Sequence, residues 1–166
     1  MSNEVYRIEL LKAGKNSANG TTGTLTLFKG STVVKTSSVF TGGHPGPGLV
    51  PIPDETYTIR LDIRGVAGKA DIKPDNTLKP FYGIQDIPAV IDGRDARYEW
   101  GSIRAALNEP RPGMPQAYRG NYLHGKTRPG DYTHGCICER SEEILQILKG
   151  IDPKKQSHVK VVVKTK

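Results

Sequence analysis

The chain has 166 residues, enough for one compact domain over 1–166 that buries a core without disulfide staples. An apolar share of 36% with 19 Gly and 12 Pro predicts short strands joined by many turns. The only cysteines, Cys136 and Cys138, leave no disulfide framework, and a formal charge of +7 predicts an anionic partner or a surface charged only for solubility.

Met1-Ser2-Asn3-Glu4 has no basic stretch, and the run from Val5 to Leu11 is interrupted by Tyr6, Arg7 and Glu9. The expectation is a chain made in the cytoplasm without a signal peptide and without a membrane span. The alternation in Val5-Tyr6-Arg7-Ile8-Glu9-Leu10-Leu11 predicts an opening strand. The stretch 14–23, rich in Gly, Asn, Ser and Thr, predicts a loop. Two β-branched runs, 24–28 and 32–36, flank Lys29-Gly30-Ser31 and predict a hairpin. The Gly/Pro-rich segment 41–48, which contains His44, predicts another loop. A strand follows within 51–61, with Tyr57, Ile59 and Leu61 on one face.

The segment 62–115 is punctuated by six prolines and predicts an elaborated insertion with one short helix over 102–107. Within it, Trp100 predicts a core position, and Arg94, Arg97 and Arg104 predict either a contact for an anionic polymer or a solvated face. The clearest helix is 141–150, with Ser141 as its cap, Glu142 and Glu143 in its first turn, and Lys149-Gly150 closing it. Val159 to Val163 predicts the last strand. There is no internal repeat, phosphate loop or nucleic-acid motif.

The densest chemistry lies in His124-Gly125-Lys126-Thr127-Arg128-Pro129-Gly130-Asp131-Tyr132-Thr133-His134-Gly135-Cys136-Ile137-Cys138. Two of the chain's four histidines and both cysteines fall within these fifteen positions. A thiol needs a base to become a useful nucleophile, and imidazoles lie close by. An alternative use of the same groups is a zinc site built from His124, His134, Cys136 and Cys138. The two cysteines could also form a strained disulfide under oxidation.

Thr133-His134-Gly135-Cys136-Ile137, with His124-Gly125 upstream, resembles the signature of the L,D-transpeptidase catalytic domain (YkuD type), whose members cut and rejoin the peptide stems of peptidoglycan. The resemblance runs from about Pro51 and is firmest from Tyr122 to Ile137. It implies a mainly β, small sandwich or barrel-like domain with one helix after the nucleophile and short helices in the insertion. It assigns Cys136 as nucleophile and His124 as general base on an adjacent strand, with the Gly125 carbonyl orienting the imidazole. Thr133, His134 and Gly135 would shape the pocket and oxyanion site, and Arg140 would contact substrate. Neither a cofactor nor a metal is implied.

Three features depart from that pattern. Only eight residues separate His124 from Thr133, so the connection is tight, with Pro129-Gly130 suited to a turn. Cys138 stands where many relatives carry Arg or Asn, leaving Arg140 as the nearest carboxylate-binding substitute. Glu55 replaces a glycine in Pro53-Asp54-Glu55-Thr56-Tyr57. The resemblance implies L,D-carboxypeptidase or L,D-transpeptidase action on stem peptides in the periplasm. For a chain without a signal peptide, this suggests a type VI-delivered toxin with a periplasmic immunity protein. A non-catalytic basic wall-binding module is the competing expectation. From the residues alone, Tyr118, Tyr122 and Tyr132 are candidates for lining a substrate groove or are ordinary buried tyrosines at strand ends.

Overall fold

The computed structural model describes residues 4–13, 21–42, 52–107, 121–127 and 136–166. Strands β1 (Tyr6–Lys12), β2 (Thr21–Lys29) and β3 (Thr32–Thr41) form an antiparallel meander. They are followed by β4 (Thr56–Arg60), β5 (Arg64–Val66), β6 (Ile84–Asp86), β7 (Val90–Ile91), β8 (Arg94–Asp95) and β9 (Ile103–Ala106). The chain ends with β10 (Tyr122–His124), β11 (Ile137–Cys138), the single described helix α1 (Glu143–Lys149) and β12 (His158–Thr165). Ten strands form one sheet in the order β4-β12-β1-β2-β3-β11-β10-β9-β6-β5, and β7 and β8 pair separately. The sheet curls into a half-barrel that brings β4 against β9. The mainly β expectation therefore holds.

Alternation in the sequence builds the concave face directly. Leu27, Ile8, Val161 and Tyr57 lie abreast on β2, β1, β12 and β4, and Leu25, Leu10 and Val163 form a second row. All are buried, and α1 fills the concavity with Ile144, Leu145 and Leu148. Each such side chain contributes roughly 1.5–3 kcal/mol through burial, which makes this core the main source of stability. The row on β1 ends in a charge: the buried Lys12 Nζ donates to the Ile52 carbonyl at 2.6 Å and meets Asp54 at 2.9 Å. That contact fixes the turn ahead of β4 to the sheet.

Two local expectations are corrected. Residues 102–107 do not form a helix. Ile103-Arg104-Ala105-Ala106 is β9, paired with β10 on one side and β6 on the other, with all four residues buried. Ladder bonding on both edges and burial on both faces override the helical propensity of Arg-Ala-Ala-Leu. The described part of the insertion thus contributes strands and turns rather than short helices.

The start of α1 also differs. Ser141 does not cap it, and its hydroxyl instead meets Ser37 Oγ at 3.1 Å. The buried Glu139 carboxylate accepts the Ile144 and Leu145 N–H groups at 3.0 and 3.1 Å. Glu142 occupies the position before the helix in a left-handed conformation, φ 55°. A seven-residue helix is unstable alone. This one persists because its apolar face is packed and its first N–H groups have a carboxylate. Arg64 fastens the other end, donating to the Lys149 and Ile151 carbonyls at 2.6 and 3.0 Å.

Candidate active site

β10 and β11 are parallel neighbours, so the histidine and cysteine elements lie on adjacent strands as the sequence predicts. Register places Phe40, Cys138, His124, Arg104 and Gln85 abreast on β3, β11, β10, β9 and β6. One step along, Tyr122 pairs with Ala106, and the Tyr122 N–H donates to Cys136 Sγ at 3.4 Å. Alternation sends Leu123 and Ile137 to the main core and leaves His124 and Tyr122 on the opposite face.

The insertion covers that second face. Trp100 is half-buried and packs against the core at the junction of two clusters. It packs against Ala67, Leu78, Ile87, Ile91 and Ala96 on one side and against Ala106, Tyr122 and Cys136 on the other. Its ring meets those of Tyr122 and His124 edge-on, with centroids 5.0 and 5.1 Å apart. Arg104 does not belong to a solvated face. Its guanidinium is buried, 4.5 Å from the ring centres of both Trp100 and Tyr122. Arg94 and Arg97 hold loops, donating to the Pro74 and Ile87 carbonyls.

His124 Nδ1 is hydrogen-bonded to the Gly125 carbonyl, as the resemblance implies. A carbonyl can only accept, so Nδ1 carries the proton and Nε2 keeps its lone pair. Two further contacts hold this element. The Glu139 N–H donates to the His124 carbonyl at 2.8 Å, joining β10 to the residue that caps α1. The Glu142 carboxylate accepts the Ser102 N–H and hydroxyl at 2.8 and 2.7 Å while lying against Gly101 and Gly125. Gly101, at φ 68°, gives the chain the backbone freedom this approach requires.

Burial lowers His124 to about 4, assisted by the Lys126 and Arg104 charges and opposed by the Gly125 carbonyl. Burial raises Cys136 to about 11, opposed by the Tyr122 N–H and by Arg104. At neutral pH these shifts favour the Cys136 thiol and the neutral His124 imidazole over a thiolate and an imidazolium. A thiol and an imidazole in these forms can react only by moving the proton as the sulfur attacks.

These shifts set a stability profile. Unfolded His124 takes up a proton below its ordinary 6.5 while the folded residue resists until about 4, so stability falls as pH falls between them. At 1.36 kcal/mol per unit the loss reaches about 3 kcal/mol at the acid end. Cys136 acts on the alkaline side. The unfolded thiol ionises near 9.0 and the folded one near 11, so stability falls as pH rises across that interval. Denaturant titrations of wild type and H124Q across pH 4–7 should show a shallower acid limb in the variant. Parallel curves would refute the assignment. Glu139, raised by burial, contributes an opposite slope that the comparison cancels.

Arg140 lines an open groove of about 810 Å³ with Phe40, Ser38 and Glu143, next to the sheet row that contains His124. Its guanidinium lies 5.5 Å from the Phe40 ring and donates to the Lys126 carbonyl at 3.3 Å. Tyr122 is a buried wall rather than an exposed platform, and its hydroxyl accepts the Phe81 N–H at 3.1 Å. Tyr132, Thr133, His134 and Gly135, together with His44 and Tyr118, lie outside the described residues. His134 is needed for the zinc set, and among the described residues no three His, Cys, Asp or Glu side chains gather to hold a metal.

No protein-family model matches the chain, and no curated protein matches it. The sequence reading did not find Arg104, Trp100, Glu139 or Glu142 as parts of this site. Arg104 had a usable signal, a lone charge inside Ile-Arg-Ala-Ala-Leu. The others become neighbours only through the tertiary fold.

Proposed function

We propose that the chain is a cysteine acyl-transfer enzyme of L,D-transpeptidase type, acting on the stem peptides of peptidoglycan. The observation that carries this reading is the buried His124, its Nδ1 held by the Gly125 carbonyl, on the strand paired with Ile137–Cys138, into which Cys136 leads. Nε2 accepts the thiol proton as Sγ bonds to the acyl carbon that follows an L-centre. The tetrahedral adduct collapses, its C–N bond breaks, and the imidazolium protonates the departing D-amino acid. Water or an amine then attacks the thioester, with His124 accepting its proton, and sulfur leaves. Water makes the protein an L,D-carboxypeptidase; an amine makes it a transpeptidase or D-amino-acid exchanger. Arg140, at the groove, is the candidate for holding a stem carboxylate, and the amides near Gly135 and Cys136 are the candidates for the oxyanion.

Stem peptides lie outside the inner membrane, so the proposed place of action is the periplasm of a target cell. No described helix is long and apolar enough to cross a membrane. A toxin acting there calls for an immunity protein that seals the site around Cys136 and His124. The test combines chemistry and growth. Purified protein should release D-alanine from tetrapeptide muropeptides and acquire a carbapenem adduct on Cys136. Expression with an added export signal should lyse a Gram-negative host, whereas cytoplasmic expression should not. Retention on sacculi without conversion or adduct would replace the enzyme with a wall-binding module. Conversion without lysis would leave a wall enzyme that is not a toxin.

A further inference from the structure

Four charged side chains are buried among the described residues: Lys12, Arg104, Lys126 and Glu139. Lys12 meets Asp54, and Glu139 meets the N–H groups of α1. Arg104 is held differently. Its Nε donates to Gln85 Oε1 at 2.8 Å, its Nη2 donates to the Lys79 carbonyl at 2.5 Å, and its Cζ lies 4.5 Å from the ring centres of Trp100 and Tyr122. Among the described residues no carboxylate pairs with it, and Nη1 has no hydrogen-bond partner. Burying a guanidinium in this way carries a desolvation penalty that neutral partners only partly offset.

The charge sits where an anion would form. Arg104 is in register with His124, it stacks on Tyr122, and the Tyr122 N–H points at Cys136 Sγ. Its charge favours the ionised sulfur. Among the described residues, the other charged or titratable groups near this face include Tyr122, His124 and Lys126 on or just beyond β10, Glu142 against Gly125, Asp71, whose charge acts on Arg104, and Lys79, whose carbonyl accepts from it.

We propose that Arg104 is the positioning residue that stabilises the Cys136 thiolate, supplying from β9 a fixed positive charge for the reacting sulfur. The assignment rests on Cys136 being the nucleophile. Arg104 also opposes a proton on His124. The imidazolium formed during attack is therefore a strong acid and passes its proton readily to the leaving amine.

The test needs no substrate. In a Cys138→Ala background, the rate of Cys136 alkylation by iodoacetamide is followed against pH by mass spectrometry. Gln85→Glu places a carboxylate on Arg104 Nε without emptying space, and Arg104→Met removes the charge. Both should raise the midpoint by about one unit, so that labelling below it slows roughly tenfold. Arg104→Lys, whose buried ammonium loses its proton below that midpoint, should behave like Arg104→Met. Unmoved midpoints in Gln85→Glu, or in Arg104→Met, would show that Arg104 only packs the site and would overturn the proposal. Turnover on muropeptides separates this from the enzyme reading. An inactive protein whose midpoints still shift keeps Arg104 and loses the enzyme, whereas an active one with unmoved midpoints does the reverse.

Discussion

Replacing Cys136 with alanine should reduce muropeptide turnover by at least about a thousandfold, because loss of a nucleophile leaves only binding and oxyanion contributions. The fold should survive. Sγ accepts one weak hydrogen bond, from the Tyr122 N–H at 3.4 Å, and the side chain packs against Ala106, Tyr122 and Trp100. Truncation to alanine should therefore cost about 1 kcal/mol, against a domain stability several times larger. The same variant should lose the alkaline decline in stability. Cys138 is the competing nucleophile and makes the opposite prediction. It is fully covered at 0% exposure, whereas Cys136 retains 7%. Cys138→Ala should therefore keep most of the activity. Full turnover by Cys136→Ala, with loss in Cys138→Ala, would transfer the chemistry to the second thiol.

Gly125→Ala should be the most damaging single-methyl change near the site. A Cβ there would lie 2.5 Å from Glu142 Cδ and 2.7 Å from Cγ. The carboxylate cannot move aside without giving up the Ser102 N–H and hydroxyl. Overpacking and the lost bonds together should cost roughly 2–4 kcal/mol. For a chain of this length, that lowers the melting temperature by about 5–15 °C. The Gly125 carbonyl also holds His124, and a shift of about 1 Å there should reduce kcat about a hundredfold. Glu142→Ala clears the space, so the double variant should recover part of the stability lost by Gly125→Ala alone. Wild-type melting and activity in Gly125→Ala would remove Glu142 and Gly125 from the site.

The sequence was readable where one face of a strand is wet. Ile8 and Leu10 on β1, Leu25 and Leu27 on β2, and Tyr57 and Ile59 on β4 alternate with less buried residues, and their strands lie where the pattern predicts them. β9 was not readable, because Ile103, Arg104, Ala105 and Ala106 are covered on both faces and no period of two survives. The helix itself was visible in Glu143 of its first turn and in the Lys149-Gly150 that closes it. Its beginning differs because Glu139, outside the expected span, bonds the first N–H groups where Ser141 was expected to cap. At the site, His124 and Gly125 could be picked out by their short motif. Trp100 and Glu142 could not, because what they do depends on the insertion folding back over β10.

The parallel pairing of β1 with β12 has a consequence for how the molecule forms. Residues 7–12 are hydrogen-bonded beside 160–165, and β12 also separates β1 from β4. The sheet is therefore continuous only after two segments about 150 positions apart in sequence have met. Contacts of such long range fold slowly, because loop-closure entropy is lost before the contacts repay it. On a ribosome, the β1–β3 meander must wait with an open edge at β1 until β12 emerges. During that interval the unpaired edge is exposed to other nascent chains, and folding yield depends on protecting it.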